Sequence, residues 1–309
     1  MNILCLTKIN HVDGVHEKLA SLGSLVCQSA WLNESAVRNA IIANNSEVLY
    51  VNPNKQSYIL DRSVLGGTTV IIIVTVSRGT NHIDMDYCQE AGIRVIHLNK
   101  DPVTAKNSAT AEHALGLTLA LIRNLPQSFD AVKSGNWDCA PFIGHQLSSL
   151  TVGVVGMGTL GTMYASYCRA IGSKVIECTR QDGNSFINAM VNSDIISLHI
   201  PLTEKNYHFI DDRAIYLMKH GMFVVNTSRG SVVDEMAIID GLRSGKIGGY
   251  ATDVLEDEKG DILNNPIVMA TEEGLNVIVT PHVAGTCFES AKVAHFRAIE
   301  LLEEHYGKT

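Results

Sequence analysis

Short apolar runs alternate with amphipathic stretches along the whole chain, the pattern of stacked βαβ units around parallel sheets. In the first third these runs predict strands near residues 3–6, 24–27, 48–51, 70–76 and 95–98. Helical periodicity covers 15–22, then 33–42 with Asn33 as N-cap, then 84–91. The run 70–76 is rich in β-branched residues with almost no polar alternation, as a strand buried on both faces should be. A long helix rich in Ala and Leu is expected over 105–124, and a second over 288–306. Between them lies another α/β series, with strands at 151–155, 174–178, 195–199, 222–226, 249–254 and 277–280. Two such halves with a helix at each crossing predict two Rossmann-like, doubly wound parallel-sheet domains of the α/β class.

The composition narrows the picture. Of 309 residues, 46% are hydrophobic and 18% charged, which excludes disorder, coiled coil and collagen-like sequence. A net charge of −8, from 24 basic and 32 acidic side chains, provides no broad cationic surface. Neither nucleic acid nor a membrane is therefore expected as a partner, and an anionic substrate needs a local arginine or helix terminus. Seven scattered cysteines without a CxxC pair argue against a disulfide framework and a structural zinc site, so no metal is expected. The apolar run 70–76 is too short to span a bilayer, and the first residues read as a strand without a basic leader. A cytoplasmic location is the expectation.

Residues 152–161 read V-G-V-V-G-M-G-T-L-G, with Gly156, Gly158 and Gly161 spaced as GxGxxG. The motif follows an apolar strand, opens a helix expected over 162–171, and is completed by the strand 174–178, the context that dinucleotide binding needs. Gly156 allows the tight turn, Gly158 a close backbone approach to a pyrophosphate, and Gly161 the packing of helix on strand. Free N–H groups at the helix start, with the positive end of its dipole, would hold the phosphates. At the end of the second strand, where an acid would bind the ribose diol of NAD, stand Thr179 and then Arg180. A hydroxyl and a guanidinium suit a 2′-phosphate, so NADP(H) is expected ahead of NAD(H). The alternative leaves Arg180 in a solvated loop and gives the ribose to Glu177 or Asp182.

Three later segments fall at strand ends, where open α/β sheets place ligands: Asn226-Thr227-Ser228-Arg229-Gly230, Asp253 to Glu258, and Thr280-Pro281-His282-Val283-Ala284-Gly285. They offer the parts needed to reduce a 2-keto acid. Arg229 can grip a carboxylate with two parallel hydrogen bonds. His282 can deliver a proton near neutral pH, and Glu258 can fix its tautomer from the other ring nitrogen. Each residue has an ordinary alternative as a capping, turn or solvated group.

Together these segments resemble the D-isomer-specific 2-hydroxyacid dehydrogenase family. Further motifs that carry the resemblance are Gly79-Thr80-Asn81-His82-Ile83-Asp84, Ala111-Glu112-His113, and Ser197 through Thr203. The resemblance implies a cofactor domain (103–283) inserted into a discontinuous, flavodoxin-like substrate domain (1–102 and 284–309), with the active site in the cleft and a homodimer built partly on the cofactor domain. It implies Arg229, Glu258 and His282 as the catalytic set. It adds Met157, Thr159 and Leu160 at the pyrophosphate, Pro201 and Thr203 at the adenosine side, and Thr110 and Thr227 on the cofactor. Asp253 would contact the nicotinamide carboxamide, and N–H groups of Ser77, Arg78 and Gly79 the substrate carboxylate.

Two departures stand out. Lys259 follows Glu258 where the family usually has proline, and the stretch to His282 is longer than usual, which keeps Glu256 open as the histidine's partner. Spacing from Asp253 favours Glu258. Arg78 replaces a small apolar residue and could meet a second anionic group. The leading reading is NAD(P)H-dependent reduction of a small 2-keto acid, as in glyoxylate or hydroxypyruvate reductases. One alternative is oxidation of a phosphorylated hydroxy acid, as in phosphoglycerate dehydrogenase. Another is a non-catalytic, dinucleotide-sensing protein resembling the corepressors built on this fold.

Overall fold

The computed structural model describes residues 1–28, 33–52, 58–179, 183–258 and 260–307. The chain begins with β1 (Asn2–Cys5), α1 (Val15–Ala20), β2 (Ser24–Cys27), α2 (Glu34–Ala43), β3 (Val48–Val51) and α3 (Arg62–Leu65). It continues with β4 (Ile72–Thr75), α4 (Met85–Glu90), β5 (Arg94–Ile96), α5 (Ala109–Ile122) and α6 (Leu125–Lys133). Next come β6 (Thr151–Val155), α7 (Thr159–Ile171), β7 (Lys174–Cys178), α8 (Gly183–Asn192), β8 (Ile195–Leu198) and α9 (Asp212–Leu217). The last elements are β9 (Met222–Asn226), α10 (Glu235–Arg243), β10 (Ile247–Thr252), α11 (Pro266–Glu272), β11 (Val277–Val279) and α12 (Phe288–His305). Two compact units result: Met1–Asn107 with Thr286–Thr309, and Ser108–Gly285.

The first unit is built on a parallel sheet in the order β2-β1-β3-β4-β5, the flavodoxin-like order. Its pleat sorts the apolar runs onto two faces. Ile3, Cys5, Val48, Tyr50, Ile72 and Val74 pack on α1 and the terminal α12 through Val15, Leu19, Ala298, Ile299 and Leu302. Leu4, Leu49, Val51 and Ile73 pack the other way, on α2, α3 and α4 through Val37, Ile41, Val64, Leu65 and Cys88. This two-sided burial is why the strands read as continuous apolar runs. The Asn33 cap agrees with the sequence, its side chain accepting the Ala36 N–H at the start of α2, and Asp84 caps α4 in the same way, accepting the Tyr87 N–H.

The second unit carries a six-stranded parallel sheet in the order β11-β10-β9-β8-β6-β7. The strand order reverses between β6 and β8, the switch point at which doubly wound sheets bind ligands. On one face Val152, Val154, Ile195, Val225 and Ala251 meet α5 and α7. On the other Val155, Ile196, Leu198, Val224 and Tyr250 meet the side chains of α8 to α11.

Several elements differ from expectation, among them β4 and β5, which are shorter than the runs 70–76 and 95–98. The helix expected over 105–124 is a short 3-10 turn, Thr104–Lys106, followed by α5 from Ala109. Asn107 between them is extended, its side chain accepting the Ser290 hydroxyl at 2.7 Å, which competes with a helical backbone. Helix α7 starts at Thr159 rather than 162, directly off the glycine turn. Strand β10 starts two residues early and ends at Thr252, whose hydroxyl bonds the Val254 backbone and turns the chain.

Candidate active site

The glycine turn is dictated by close packing. Gly156 has φ +96, and a Cβ there would lie 2.6 Å from the His199 carbonyl oxygen. A Cβ on Gly161 would lie 1.9 Å from the Gly156 oxygen, so that position admits only glycine without backbone movement. Gly158 differs, because nothing lies within 4 Å of its Cβ position. It is the N-cap of α7, with no side-chain cap, so the first N–H groups of the helix are open to an anion. Met157 and Leu160 pack on the core below, while Thr159 is exposed.

Across the switch point, the segment after β8 carries Pro201 and Thr203, both exposed. Asn206 braces it, donating from Nδ2 to the Pro201 carbonyl (2.8 Å) and from its N–H to the Thr203 carbonyl (2.9 Å). Burial lowers His199 to about 4, which keeps this ring neutral at pH 7, and its Nε2 pairs with the Ser197 hydroxyl at 2.9 Å. Thr179 is exposed at the end of β7. Arg180 and Asp182 lie outside the described residues. Glu177, the other acid considered for the ribose, is ion-paired with Arg169 of α7.

On the far side of the switch point, three adjacent strands β9, β10 and β11 end in the three predicted segments. Asn226, fully buried, organises the first. Its Nδ2 donates to the Arg229 carbonyl (2.9 Å) and its Oδ1 accepts the Ser228 N–H (3.0 Å) and hydroxyl (2.7 Å). Arg229 is half-buried and donates from one guanidinium nitrogen to the Ser228 carbonyl at 2.7 Å. A Cβ on Gly230 would collide with the Leu255 carbonyl carbon at 1.9 Å, so this turn lies directly on the acidic segment. Thr227 has its hydroxyl buried and without a partner among the described residues.

His282 stands at φ 53 with its N–H on the Asp253 carbonyl at 2.9 Å. Its Nδ1 meets both Glu258 oxygens, at 3.1 and 3.0 Å, and each side chain keeps about a third of its surface exposed, 33% and 36%. Glu256 points elsewhere, accepting the Tyr207 hydroxyl at 2.9 Å and His208 Nε2 at 3.2 Å. Of the two acids left open by the sequence, Glu258 is the one placed against the histidine. Asp253, expected at a carboxamide, has a side chain only 1% exposed. Its oxygens accept the Thr280 hydroxyl and the N–H groups of Val283 (2.9 Å) and Ala284 (2.8 Å), so it clamps the histidine turn. His113 of α5 backs this clamp, with Nε2 3.1 Å from the Thr280 hydroxyl. Thr110, also on α5, is half-buried, with its hydroxyl 3.9 Å from a Cβ built on Gly285.

In the first unit, Ser77, Arg78 and Gly79 follow β4. The Ser77 hydroxyl donates to the Gly79 carbonyl at 2.6 Å, and the N–H groups of all three residues have no acceptor among the described residues. The Arg78 guanidinium turns inward to the Thr104 carbonyl, and burial lowers its pKa while Asp101 opposes the shift.

The sequence missed the braces: Asn226, His113, Asn206 and the pair Tyr207–His208. Asn226 and His113 stood inside recognised motifs with nothing to show their bonds, and Asn206, Tyr207 and His208 lie in the long segment between β8 and β9, where no pattern singles them out. Among the described residues no helix is long and apolar enough to cross a membrane, and no cluster suited to a metal ion is present.

A doubly wound sheet with an open glycine turn at its switch point, and an orphaned hydroxyl two strands away at the end of β9, fits a dinucleotide. The sequence profile described as "D-isomer specific 2-hydroxyacid dehydrogenase, NAD binding domain" matches residues 115–284. The chain is 36% identical over 229 residues to an aromatic 2-oxoacid reductase of Clostridium sporogenes, covering 68% of each. It is 32% identical over 267 residues to a D-specific alpha-keto acid dehydrogenase of Enterococcus faecalis, covering 80% of this chain and 81% of that one. The structure of D-lactate dehydrogenase from Aquifex aeolicus, complexed with NAD and lactic acid, superposes with a TM-score of 0.80 at 26% identity, over 99% of this chain and 96% of that one. The chain belongs to the D-isomer-specific 2-hydroxyacid dehydrogenase family, oxidoreductases with a nicotinamide dinucleotide as cofactor.

Proposed function

We propose that this protein interconverts a small 2-keto acid and its D-2-hydroxy acid, with NADP(H) preferred over NAD(H). The observation that carries the reading is the His282–Glu258 pair at 3.0 Å, one strand end away from Arg229. With Nδ1 committed to Glu258, the opposite nitrogen of His282 is the one that hands a proton to the keto oxygen, or takes it back from the hydroxyl. The carboxylate of Glu258 stabilises the imidazolium from which that proton leaves. Arg229 spends one of its five N–H donors on Ser228 and keeps the others for the substrate carboxylate and the charge developing on the keto oxygen. The bound nicotinamide supplies the hydride to the keto carbon and receives it in the reverse direction.

We assign the dinucleotide to the second unit, on the α7 N-terminus, Gly156 to Gly161, Pro201, Thr203, Thr110 and the orphaned Thr227 hydroxyl. Asp253 serves there through the histidine turn that it clamps. NADP(H) preference rests on Thr179 and Arg180 and on the engagement of Glu177 by Arg169. Arg180→Asp is expected to weaken NADPH binding about 10- to 100-fold relative to NADH. An unchanged ratio in fluorescence titrations refutes the preference.

A homodimer is supported by α6, which buries none of its residues and exposes Phe129 at 65%, with Trp137 beyond it at 87%. Sedimentation at the monomer mass would remove that assignment. The free cysteines support a reducing, cytoplasmic setting. Oxidation of NADPH and NADH against a panel of 2-keto acids, from glyoxylate and hydroxypyruvate through aromatic and phosphorylated examples, tests the function. Preference for a phosphorylated acid would favour the phosphoglycerate-type reading, which the inward-turned Arg78 does not support. Dinucleotide binding without turnover on any of them would make the protein a sensor.

A further inference from the structure

The acidic turn that carries Glu258 is anchored two residues earlier, at Glu256. The Glu256 N–H donates to Glu235 Oε1 at 2.8 Å, and the other Glu235 oxygen accepts from Asn265 at 3.2 Å. Glu235 is buried among these bonds at the start of α10, and burial raises its pKa. The Glu256 side chain is held separately, by the Tyr207 hydroxyl at 2.9 Å and by His208 Nε2, 3.2 Å from each carboxylate oxygen.

His208 is itself fixed on every side. Its N–H donates to the Ser231 carbonyl at 2.9 Å, two residues beyond Arg229, and its ring stacks on Tyr207 at 4.0 Å between centroids. Its Nδ1 lies 3.7 Å from Asp234, the N-cap of α10. The backbone is left-handed, φ 48, a conformation a histidine keeps only where surrounding contacts over-determine it. One residue thus ties three segments together, its backbone N–H holding the chain after Arg229 and its imidazole the start of α10 and the acidic turn. Two residues of chain span at most about 7 Å, so a fixed Glu256 leaves the Glu258 backbone little room to wander.

We propose that His208 is a positioning residue of the active site, acting through Glu256 to hold Glu258 against His282 Nδ1. The inference rests on the reading of His282 as the proton donor only for its kinetic consequence; the placement of Glu258 is a separate, structural matter.

Two measurements separate these. The first is the downfield Nδ1–H resonance of His282, assigned by its loss in His282→Asn. It disappears in Glu258→Ala, disappears or broadens in His208→Ala, and returns in His208→Gln, whose amide reaches Glu256 from the same backbone conformation. The second is a double-mutant cycle on kcat. His208→Ala alone is expected to lower kcat about tenfold with KM nearly unchanged, and to have no further effect in the Glu258→Ala background. Should His208→Ala fold poorly by circular dichroism, Tyr207→Phe removes the second donor to Glu256 and gives the same pattern more weakly. An unaltered His282 resonance in His208→Ala, or losses in kcat that multiply in the double variant, overturns the proposal. Full turnover in His282→Ala would overturn the catalytic reading and leave the resonance result standing.

Discussion

His282 occupies the left-handed region, which costs a non-glycine residue about 1–2 kcal/mol. The cost is met by bonds on all sides: its N–H on the Asp253 carbonyl, the next two N–H groups on the Asp253 carboxylate, and its ring on Glu258. A residue held this tightly is oriented before substrate arrives, which is what proton transfer needs. His282→Ala is expected to lower kcat by about two to four orders of magnitude and to leave dinucleotide affinity nearly unchanged. A parallel loss of affinity in titration would assign the residue to structure. At this scale the sequence exposed the candidate catalytic groups, because Arg229 and His282 each stand a few residues beyond an apolar run and Glu258 stands in the acidic segment after a third. It could not expose the bonds made by Asn226 and Asp253, since a buried amide and a buried carboxylate are defined by what surrounds them.

At the scale of elements, the three glycines of the turn do different jobs. Gly161 is required by helix-on-strand packing, so Gly161→Ala is expected to destabilise the protein by about 1–3 kcal/mol or more, along with dinucleotide binding. Gly158 has open space around its Cβ position and an ordinary negative φ. Gly158→Ala is therefore expected to leave the thermal midpoint within about a degree of the wild type, while weakening dinucleotide affinity by obstructing the pyrophosphate. Equal affinity in calorimetry would mean that no phosphate approaches this turn. Strand positions were legible to within a residue or two at 151–155 and 222–226, where both faces are buried, and also at the partly exposed edge strands 24–27 and 174–178. The pattern failed at 105–124, where an apolar composition masked the extended Asn107, and at the start of β10, where Gly248 hid the strand's first two residues.

For the molecule as a whole, buried histidines set a limit in acid. His295 of α12 is 3% exposed, its Nδ1 is 2.9 Å from the Tyr50 hydroxyl, and burial, with nearby His11, lowers it to about 4. Between pH 6.5 and about 4 the unfolded chain binds a proton at this ring that the folded chain does not. The stabilisation is therefore complete above the unfolded value and is lost as pH falls, by up to about 3 kcal/mol for this ring. Urea midpoints are expected to drop steadily from pH 7 to pH 4, and less steeply in His295→Gln. A pH-independent midpoint over that range would show that the ring is protonated in the folded state.

The order of apolar runs and turns along the chain determined the α/β class, the parallel strands and the glycine turn, because each depends on neighbours a few residues away. The tertiary structure alone decided what Asp253 holds and how His208 ties three segments together, and it set Glu258, which spacing had only favoured, against His282. Those partners lie 23 to 48 residues apart in sequence, and only the stacking of parallel strands brings their ends to one edge.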